Sequence, residues 1–188
     1  MGFNALTLVH RFLRERVKPG MRCIDATAGR GRDTALLCRL AGEAGEVLAF
    51  DIQPQAIEST RALLKEQGLD RRARLILDSH SHMQDYAAPG SVDCIVFNFG
   101  YLPGGDRSIH TSAATSLPAL EGGLRLLSPR GFLSLCIYYG GPTGYEERDA
   151  LLHWLSNVDP ARYTVLAAPF LNRPNDPPFP VFILQNEE

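Results

Sequence analysis

The 188-residue sequence lacks a strong excess of charge of either sign, and it lacks any apolar run close to the length of a membrane-spanning segment. A formal net charge of −2 gives no overall positive field to attract a polyanion, so nucleic-acid binding needs a local basic patch. Crossing a bilayer takes roughly 20 consecutive apolar residues, and a secretory signal needs an apolar segment near the amino terminus. Because neither pattern is present, we predict a cytoplasmic protein that does not enter a membrane.

The sequence also lacks the closely spaced cysteines and histidines of a metal or redox site. His80 and His82 lie two positions apart in a predicted loop without a third ligand, and we interpret them as surface residues or as part of an adenine-binding edge. No metal cofactor is predicted. The cysteines are scattered, mostly within apolar runs, so we expect buried, reduced thiols at Cys23, Cys38, Cys94 and Cys136.

Basic residues are concentrated near the amino terminus and just after the first predicted strand. Two interpretations stay open, a surface that contacts phosphates and a solvated face of a helix. The residues concerned are Arg11, Arg14, Arg16, Lys18, Arg30 and Arg32.

Apolar runs typical of strands alternate with segments of helical periodicity, which predicts a parallel sheet covered by helices on both faces. Hydrophobic residues make up 45% and charged residues 21% of the chain, and this balance and length suit one globular domain over residues 1–188. The predicted helices cover residues 6–17, 33–40, 54–67, a segment ending near 127, and 146–155. The predicted strands cover residues 21–26, 47–50, 73–77, 92–97, 131–139, 163–168 and 179–184.

The last two predicted strands are joined by a short loop rich in proline and asparagine, with no helix between them. Such a pair must be antiparallel. Seven strands with the last one reversed are the arrangement of class I methyltransferases, whereas a dinucleotide-binding Rossmann domain normally has six parallel strands. The predicted fold class is therefore α/β, with a Rossmann-like, seven-stranded, mostly parallel sheet whose last strand is antiparallel.

A glycine-containing turn follows the first predicted strand, where Asp25 precedes Gly29 and Gly31. Glycines there let the backbone approach a ligand closely, and Asp51, at the end of the second strand, is placed to bind two ribose hydroxyls. Thr34 occupies the position where a dinucleotide motif requires Gly or Ala, and Asp25 suits the cationic aminoacyl group of S-adenosylmethionine better than a pyrophosphate. The sequence therefore favours S-adenosylmethionine over NAD as the cofactor.

The predicted cofactor site extends to the ends of the third and fourth strands. Asp78 is placed to accept the adenine amino group, with Ser79 and His80 on the same edge. The alternative role for the acidic residues is capping or turn formation. The residues predicted to bind the cofactor are Asp25, Thr27, Gly29, Gly31, Asp33, Thr34, Asp51, Ile52, Gln53, Asp78, Ser79, His80 and Asn98.

A polar segment at the end of the fourth strand is predicted to hold the methyl acceptor. Asn98 and the carbonyl of Phe99 can accept the two hydrogens of an amine, which aims the nitrogen lone pair at the methyl carbon. Tyr101 can pack on a flat base, and Asp106 can take the surplus proton. The alternative is that Asn98 caps the strand and Asp106 belongs to a turn. The predicted catalytic residues are Asn98, Tyr101 and Asp106.

Several segments resemble the YtqB-like family, first described as rRNA methylases and now associated with the MnmM tRNA wobble-uridine methyltransferases. They are Asp-Ala-Thr-Ala-Gly-x-Gly at 25–31, Phe-Asp-Ile-Gln at 50–53, Asp-Ser-His at 78–80, and Phe-Asn-Phe-Gly-Tyr-Leu-Pro-Gly-Gly-Asp at 97–106. A further segment, Asn-Arg-Pro-Asn-Asp-Pro-Pro at 172–178, resembles a family loop that borders the substrate pocket. The chain departs from the family at Arg30, where Asn is usual, and at Gly140-Gly141, where Gly-His is usual.

The resemblance implies an S-adenosylmethionine-dependent RNA methyltransferase. Its expected substrate is the 5-aminomethyl group of the tRNA wobble uridine at position 34, and the product is 5-methylaminomethyluridine. It also implies that tRNA binds through the anticodon loop and that the protein forms a homodimer. The implied substrate-binding residues are Phe99, Gly100, Leu102, Pro103, Asn172, Asn175 and Pro177.

Other functions stay open from the sequence. A methyltransferase acting on rRNA, or on an amine of a small molecule or protein, has the same motifs, and the weak net charge favours the latter. A nucleotide- or RNA-binding module without catalysis is a third hypothesis. An NAD-dependent oxidoreductase is disfavoured by Thr34.

Overall fold

A computed structural model describes residues 3–100, 110–139 and 144–186 of the chain. In these residues five α-helices, seven β-strands and one short 3₁₀ helix alternate. The helices are α1 (Ala5–Arg16), α2 (Arg32–Ala41), α3 (Pro54–Glu66), α4 (Ala113–Leu126) and α5 (Gly144–Ser156), and the 3₁₀ helix is His80–Asp85. The strands are β1 (Arg22–Asp25), β2 (Glu46–Asp51), β3 (Ala73–Leu77), β4 (Val92–Phe99), β5 (Leu127–Ile137), β6 (Tyr163–Ala167) and β7 (Phe179–Gln185).

The strands form one sheet in the order β3-β2-β1-β4-β5-β7-β6. Strands β1 to β5 pair in parallel, and β7 is antiparallel to both of its neighbours, β5 and β6. The predicted Rossmann-like sheet with a reversed last strand is confirmed. The strand order changes direction between β1 and β4, and in open α/β sheets ligands bind at the carboxyl ends of the strands beside such a point.

Two local predictions were wrong. Strand β4 continues to Phe99 because its last residues keep pairing with β5, so Asn98 lies within the strand opposite Cys136 and does not cap its end. The segment that holds His80 and His82 is a 3₁₀ helix and not a loop, and Ser79 caps it by accepting a hydrogen bond from the Ser81 N–H. As a result, two residues of the predicted site, Asn98 and His80, have their backbones held in regular secondary structure.

The core has two parts, one on each face of the sheet. On one face α4 and α5 cover large side chains such as Phe50, Phe97 and Phe99. On the other face α1, α2 and α3 cover Leu13, Leu37 and their neighbours. Fully burying one such side chain stabilises a fold by roughly 1.5–3 kcal/mol, so both faces hold the sheet firmly.

The four cysteines lie in this core, as predicted, and all are reduced: Cys23, Cys38, Cys94 and Cys136. Burial raises the pKa of Cys38 and that of Cys136 to about 12, which keeps these thiols protonated and unreactive. No helix in the described residues has both the length and the apolar character needed to span a membrane.

Candidate active site

A cavity of about 1020 Å³ lies at the carboxyl ends of the parallel strands. Its β1–β3 wall consists of lining residues that follow strands β1, β2 and β3, namely 26–30, 32, 33, 51–53 and 78–80. Its β5–β7 wall consists of lining residues around β5, β7 and the start of α4, namely 100, 110–112, 115, 138, 139 and 175–178. Asn98 also lines the cavity, and its strand β4 lies between β1 and β5.

The turn after β1 and the end of β2 meet on the β1–β3 wall. Gly29 has a φ of 55°, a left-handed conformation that favours glycine, and its N–H donates to Asp51 Oδ2 at 2.9 Å. The Gln53 N–H donates to the other carboxylate oxygen, Oδ1, at 2.9 Å. Burial raises the pKa of Asp51 above its usual range, an effect that these backbone donors oppose. Two backbone groups therefore fix the carboxylate at the cavity wall, where the sequence predicts ribose binding.

Gly31 does not line the cavity, although the sequence predicts a cofactor contact there. Its φ is 78°, and a Cβ at this position would lie 2.9 Å from the backbone Cα of Thr60 in α3. The glycine instead allows the start of α2 to pack directly against α3.

Asp25 and Thr34 likewise lie beneath the cavity and do not line it. Asp25 is fully buried, and its carboxylate accepts hydrogen bonds from the Thr34 hydroxyl at 2.6 Å and from the Thr27 N–H at 3.2 Å. Burial raises the pKa of Asp25 to about 7, and the nearby Asp33 carboxylate adds to the rise. The predicted direct contact of Asp25 with the aminoacyl cation is corrected, because its side chain turns inward to α2.

The predicted adenine edge lies at the cavity wall. Asp78 Oδ1 is hydrogen-bonded to His82 Nδ1 at 2.9 Å and also accepts from the Ser79 N–H at 2.7 Å, while Oδ2 accepts from the Tyr86 hydroxyl at 2.9 Å. The bond with His82 is the largest influence that lowers the pKa of Asp78.

His80 is nearly buried, packs edge-on against Phe97 and Phe99, and donates to the Ala26 carbonyl. Burial lowers the pKa of His80 to about 4, so the ring is neutral and its unpaired Nε2 is an acceptor. The neighbouring Ile52 side chain is 54% exposed on the same wall, an apolar surface on which a flat ring can pack.

Asn98 is held in place by both its backbone and its side chain. Its N–H donates to the Thr27 hydroxyl at 2.8 Å, and its Nδ2 donates to Asp33 Oδ2 at 2.8 Å. The amide oxygen, Oδ1, is buried and has no hydrogen-bond partner among the described residues. The other oxygen of Asp33 lies 2.6 Å from Nε2 of His10, a residue of α1. Asn98 thus lines the cavity with a side chain whose amide oxygen is an unused acceptor.

Phe99 is not brought to the cavity lining. Its side chain is fully buried and stacked on Phe97 at 5.1 Å, and its carbonyl accepts the Tyr138 N–H at 3.1 Å. The predicted substrate contact of Phe99 is therefore corrected, because its carbonyl belongs to the hydrogen bonding between β4 and the end of β5. Gly100 does line the cavity, and its N–H donates to the Thr111 hydroxyl at 2.8 Å.

A buried glutamate joins the segments of the β5–β7 wall. Glu147 of α5 accepts hydrogen bonds from the Thr111 hydroxyl at 2.9 Å and from the Ser116 hydroxyl at 2.6 Å. Because Thr111 also holds Gly100, this network links the end of β4 to α4 and α5.

Aromatic and charged side chains in and behind the β5–β7 wall hold its remaining segments in place. The Arg148 guanidinium lies 4.9 Å from the ring centres of both Tyr139 and Tyr145. The Tyr145 hydroxyl donates to Asp176 at 3.0 Å, and the Tyr139 hydroxyl donates to the Pro177 carbonyl at 3.2 Å. These contacts fasten the loop before β7 to α5 and to the end of β5.

The loop that was predicted to border the substrate pocket is placed at the cavity in part. Asn175 and Pro177 line the cavity, whereas Asn172 is exposed and does not. Asn175 and Asp176 have φ values of 63° and 44°, a left-handed conformation that is uncommon for residues other than glycine.

Several predicted residues lie outside the described residues: Tyr101, Leu102, Pro103, Gly104, Gly105, Asp106, Gly140 and Gly141. The roles predicted for Tyr101 and Asp106 therefore stay predictions. Of the other predicted residues, Thr27, Asp33, Asp51, Ile52, Gln53 and Ser79 line the cavity.

Five residues in or behind the site were not predicted individually, although the loop of the last one was: His10, Thr111, Tyr138, Glu147 and Asp176. His10 could have been found from the periodicity of α1. It lies four positions after Leu6, on the stripe of the helix that faces the protein, where a polar residue is unexpected. The other four come from separate segments, and no spacing in the sequence links them.

Comparisons with known proteins identify the family of this chain. A family model described as "Putative rRNA methylase" matches residues 47–184. A protein of Arabidopsis thaliana named tRNA (mnm(5)s(2)U34)-methyltransferase, chloroplastic, is 34% identical over 193 residues, which cover 98% of this chain and 70% of that protein.

Solved structures give the same result. The structure titled as a putative rRNA-methylase from Clostridium thermocellum has a TM-score of 0.95 and 40% identity, and the match covers 99% of this chain and 100% of that one. A putative methyltransferase from Streptococcus mutans, solved in complex with SAH, has a TM-score of 0.88 and 35% identity, with 99% and 100% of the two chains covered. This chain therefore belongs to the family described as putative rRNA methylases and is an S-adenosylmethionine-dependent methyltransferase.

Proposed function

We propose that this protein transfers a methyl group to an exocyclic primary amine of tRNA, the 5-aminomethyl group of the wobble uridine at position 34. The product is 5-methylaminomethyluridine. The observation that carries the proposal is the amide oxygen of Asn98, a buried acceptor without a partner on a residue that lines the cavity. The name of the Arabidopsis thaliana relative, with 34% identity over nearly the whole chain, supports the same substrate.

The residues of the β1–β3 wall fit S-adenosylmethionine. Asp51 offers a carboxylate, fixed by two N–H groups, that suits a pair of ribose hydroxyls. The unpaired Nε2 of His80 can accept a hydrogen from the adenine amino group, and Ile52 gives a surface for the ring. When bound, the cofactor supplies a methyl group activated by its sulfonium.

The chain's part in the reaction is orientation and removal of a proton. Asn98 Oδ1 accepts one N–H of the neutral amine, which aims the nitrogen lone pair, and correct placement of two reactants supplies a large part of such a rate enhancement. The proton lost by the amine goes to a carboxylate or to water. We keep Asp106 as the proposed acceptor of that proton.

RNA binding is proposed to use exposed cations and aromatic rings around the cavity. Arg30 and Arg32 line it, and Arg11, Arg14, Arg16 and Lys18 are exposed on or just after α1, which packs beside α2. Tyr138 and Tyr139 line the opposite wall, and a splayed-out base in a loop is commonly bound by stacking on such rings.

Nucleoside mass spectrometry tests the proposal. Purified protein with S-adenosylmethionine and a tRNA carrying 5-aminomethyluridine should give 5-methylaminomethyluridine, and the same tRNA with unmodified uridine at position 34 should give no product. Absence of conversion in the first reaction would contradict the proposal.

The net charge of −2 favours one competing function, methylation of an amine on a small molecule or protein. Salt separates the two functions, because binding through phosphate contacts weakens steeply as salt rises. A KM for the tRNA that does not change with salt would favour the competing function.

A further inference from the structure

A chain of three side chains connects the surface of α1 to the acceptor at the cavity. His10 Nε2 of α1 lies 2.6 Å from Asp33 Oδ1 of α2. Asp33 Oδ2 in turn accepts a hydrogen bond from Asn98 Nδ2 of β4 at 2.8 Å. The His10 side chain is 22% exposed, whereas Asp33 is almost fully buried. One partly exposed residue is therefore linked to the amide that is proposed to orient the methyl acceptor.

The directions of the two hydrogen bonds decide which end of the Asn98 amide stays free. An ionised carboxylate only accepts, so the Asn98 NH₂ group and a protonated Nε2 of His10 are the two donors. With NH₂ bound to Asp33, Oδ1 is the end without a partner. If the amide turned over, it would present a donor to the incoming amine, and that donor would compete for the nitrogen lone pair.

His10 controls the position of Asp33. Asp33 lies at the start of α2, near the side chain of Asp25. The carboxyl group of Asp25 forms no hydrogen bond with that of Asp33. The bond from His10 occupies Oδ1 and leaves Oδ2 for Asn98. Loss of His10 frees the Asp33 side chain to turn and so releases the Asn98 amide.

We propose that His10 is a positioning residue for methyl transfer. Acting through Asp33, it keeps the oxygen of the Asn98 amide directed at the amine acceptor. This role rests on the proposed amine-directed function. His10 touches neither the acceptor nor the cofactor in this scheme, and Asp51, the proposed ribose ligand, is held by other groups, so the effect falls mainly on turnover.

Kinetics with a conservative variant test the proposal. His10→Leu should lower kcat about 10- to 100-fold, because small misplacements of a reacting group have effects of this size. Its Kd for S-adenosylhomocysteine, measured by calorimetry, should change much less than kcat. His10→Gln, which keeps an N–H donor at a similar distance, should restore most of kcat. His153→Leu, at an exposed histidine of α5, is the matched control and should leave kcat unchanged.

The kinetic result overturns the proposal if His10→Leu keeps the wild-type kcat or loses cofactor affinity to the same extent as turnover. Coupling to Asp33 gives a further check. In an Asp33→Asn background, His10→Leu should cause little additional loss, since residues that act through a shared partner are not additive. Fully additive losses would contradict the chain of contacts.

A readout without substrate separates this proposal from the proposed function. The side-chain amide signals of Asn98 in a ¹H–¹⁵N spectrum, identified by their absence in Asn98→Ser, should shift or broaden in His10→Leu and stay unchanged in His153→Leu. His10→Ala, which also lacks the N–H donor, replaces His10→Leu if that variant unfolds, and His10→Gln should keep the wild-type signals. Unchanged Asn98 signals in a variant without the donor would overturn the positioning role. Failure of the wild type to methylate the tRNA would overturn only the proposed function.

Discussion

The two walls of the cavity are held together differently. On the β1–β3 wall, backbone N–H groups from short turns fix Asp51. On the β5–β7 wall, side chains from distant segments fix one another, as Thr111 does with Glu147 and Tyr145 with Asp176. Backbone donors are present whatever the side chain, whereas a side-chain donor is lost with one substitution. The wall proposed to bind the cofactor therefore depends on backbone geometry, and the wall proposed to bind the RNA depends on residue identity.

The largest effect is expected where the β1–β3 wall depends on backbone geometry. Gly31→Ala places a Cβ 2.9 Å from Thr60 Cα at a φ of 78°, and we expect a loss of roughly 2–5 kcal/mol in the free energy of unfolding. Urea denaturation measures it. Gly90→Ala is the control, because Gly90 has a φ of 71° with nothing within 4 Å of a new Cβ. Equal losses in the two variants would show that close packing of α2 on α3 contributes nothing.

Asp25, which lies beneath the same wall, makes the free energy of unfolding depend on pH. Its pKa is about 7 in the folded protein against 3.8 in the reference state, so the folded protein holds a proton that the unfolded chain releases. Stability should therefore fall as the pH rises from about 4 to about 7. Asp25→Asn mimics the protonated form and should remove up to about 4 kcal/mol of that fall.

Urea denaturation of both proteins at pH 4 and pH 8 measures the effect of Asp25. The difference in the free energy of unfolding between variant and wild type separates the contribution of Asp25 from that of His80. The lowered pKa of His80 makes stability rise with pH, the opposite of the effect of Asp25. Parallel pH dependences of the two proteins would contradict a raised pKa at Asp25.

Asn98 lies between the two walls, and a substitution at this position tests whether methyl transfer can be lost while cofactor binding is kept. Asn98→Ala removes the amide oxygen proposed to orient the amine, and we expect kcat to fall about 100-fold. Kd for S-adenosylhomocysteine should change little, because the β1–β3 wall is intact. Single-turnover methylation and calorimetry give the two values. A rise in Kd with kcat unchanged would place Asn98 in cofactor binding alone.

The smallest effect is expected from one hydroxyl of the β5–β7 wall. Thr111→Val leaves the Gly100 N–H without its acceptor and removes a donor to Glu147, which should lower the free energy of unfolding by about 1–3 kcal/mol. Thr111→Ser keeps the hydroxyl and should recover most of the loss. Thermal unfolding compares the two. A Thr111→Val protein as stable as the wild type would show that this wall does not depend on its side-chain network.

The same contrast explains what the sequence could predict. Gly29 lies in the turn after β1 and Asp51 is the last residue of the neighbouring strand β2, so local spacing was enough to bring them together. The burial of Asp25 beneath the cavity was not predictable, because a residue that ends a strand can face either the ligand or the next helix. Asn98 was misplaced at a strand end because a polar residue after an apolar run resembles a terminus, and only pairing with β5 extends the strand.

The β5–β7 wall was mostly beyond prediction from sequence. Thr111 and Glu147 are 36 positions apart, and Tyr145 and Asp176 are 31 apart, and hydrophobic periodicity carries no information on such contacts. The loop before β7 was found only through its resemblance to a family motif, which identified Asn175 and Pro177 but also Asn172, outside the cavity.

The position of β7 inside the sheet sets an order of assembly. Strand β6 is synthesised first, yet among the described residues it pairs only with β7, so it can join the sheet only after β7 has been made. Residues 175–178 directly precede β7 and reach the cavity only once that strand has docked. A nascent chain can thus complete its β1–β3 wall early, while the opposite wall closes last.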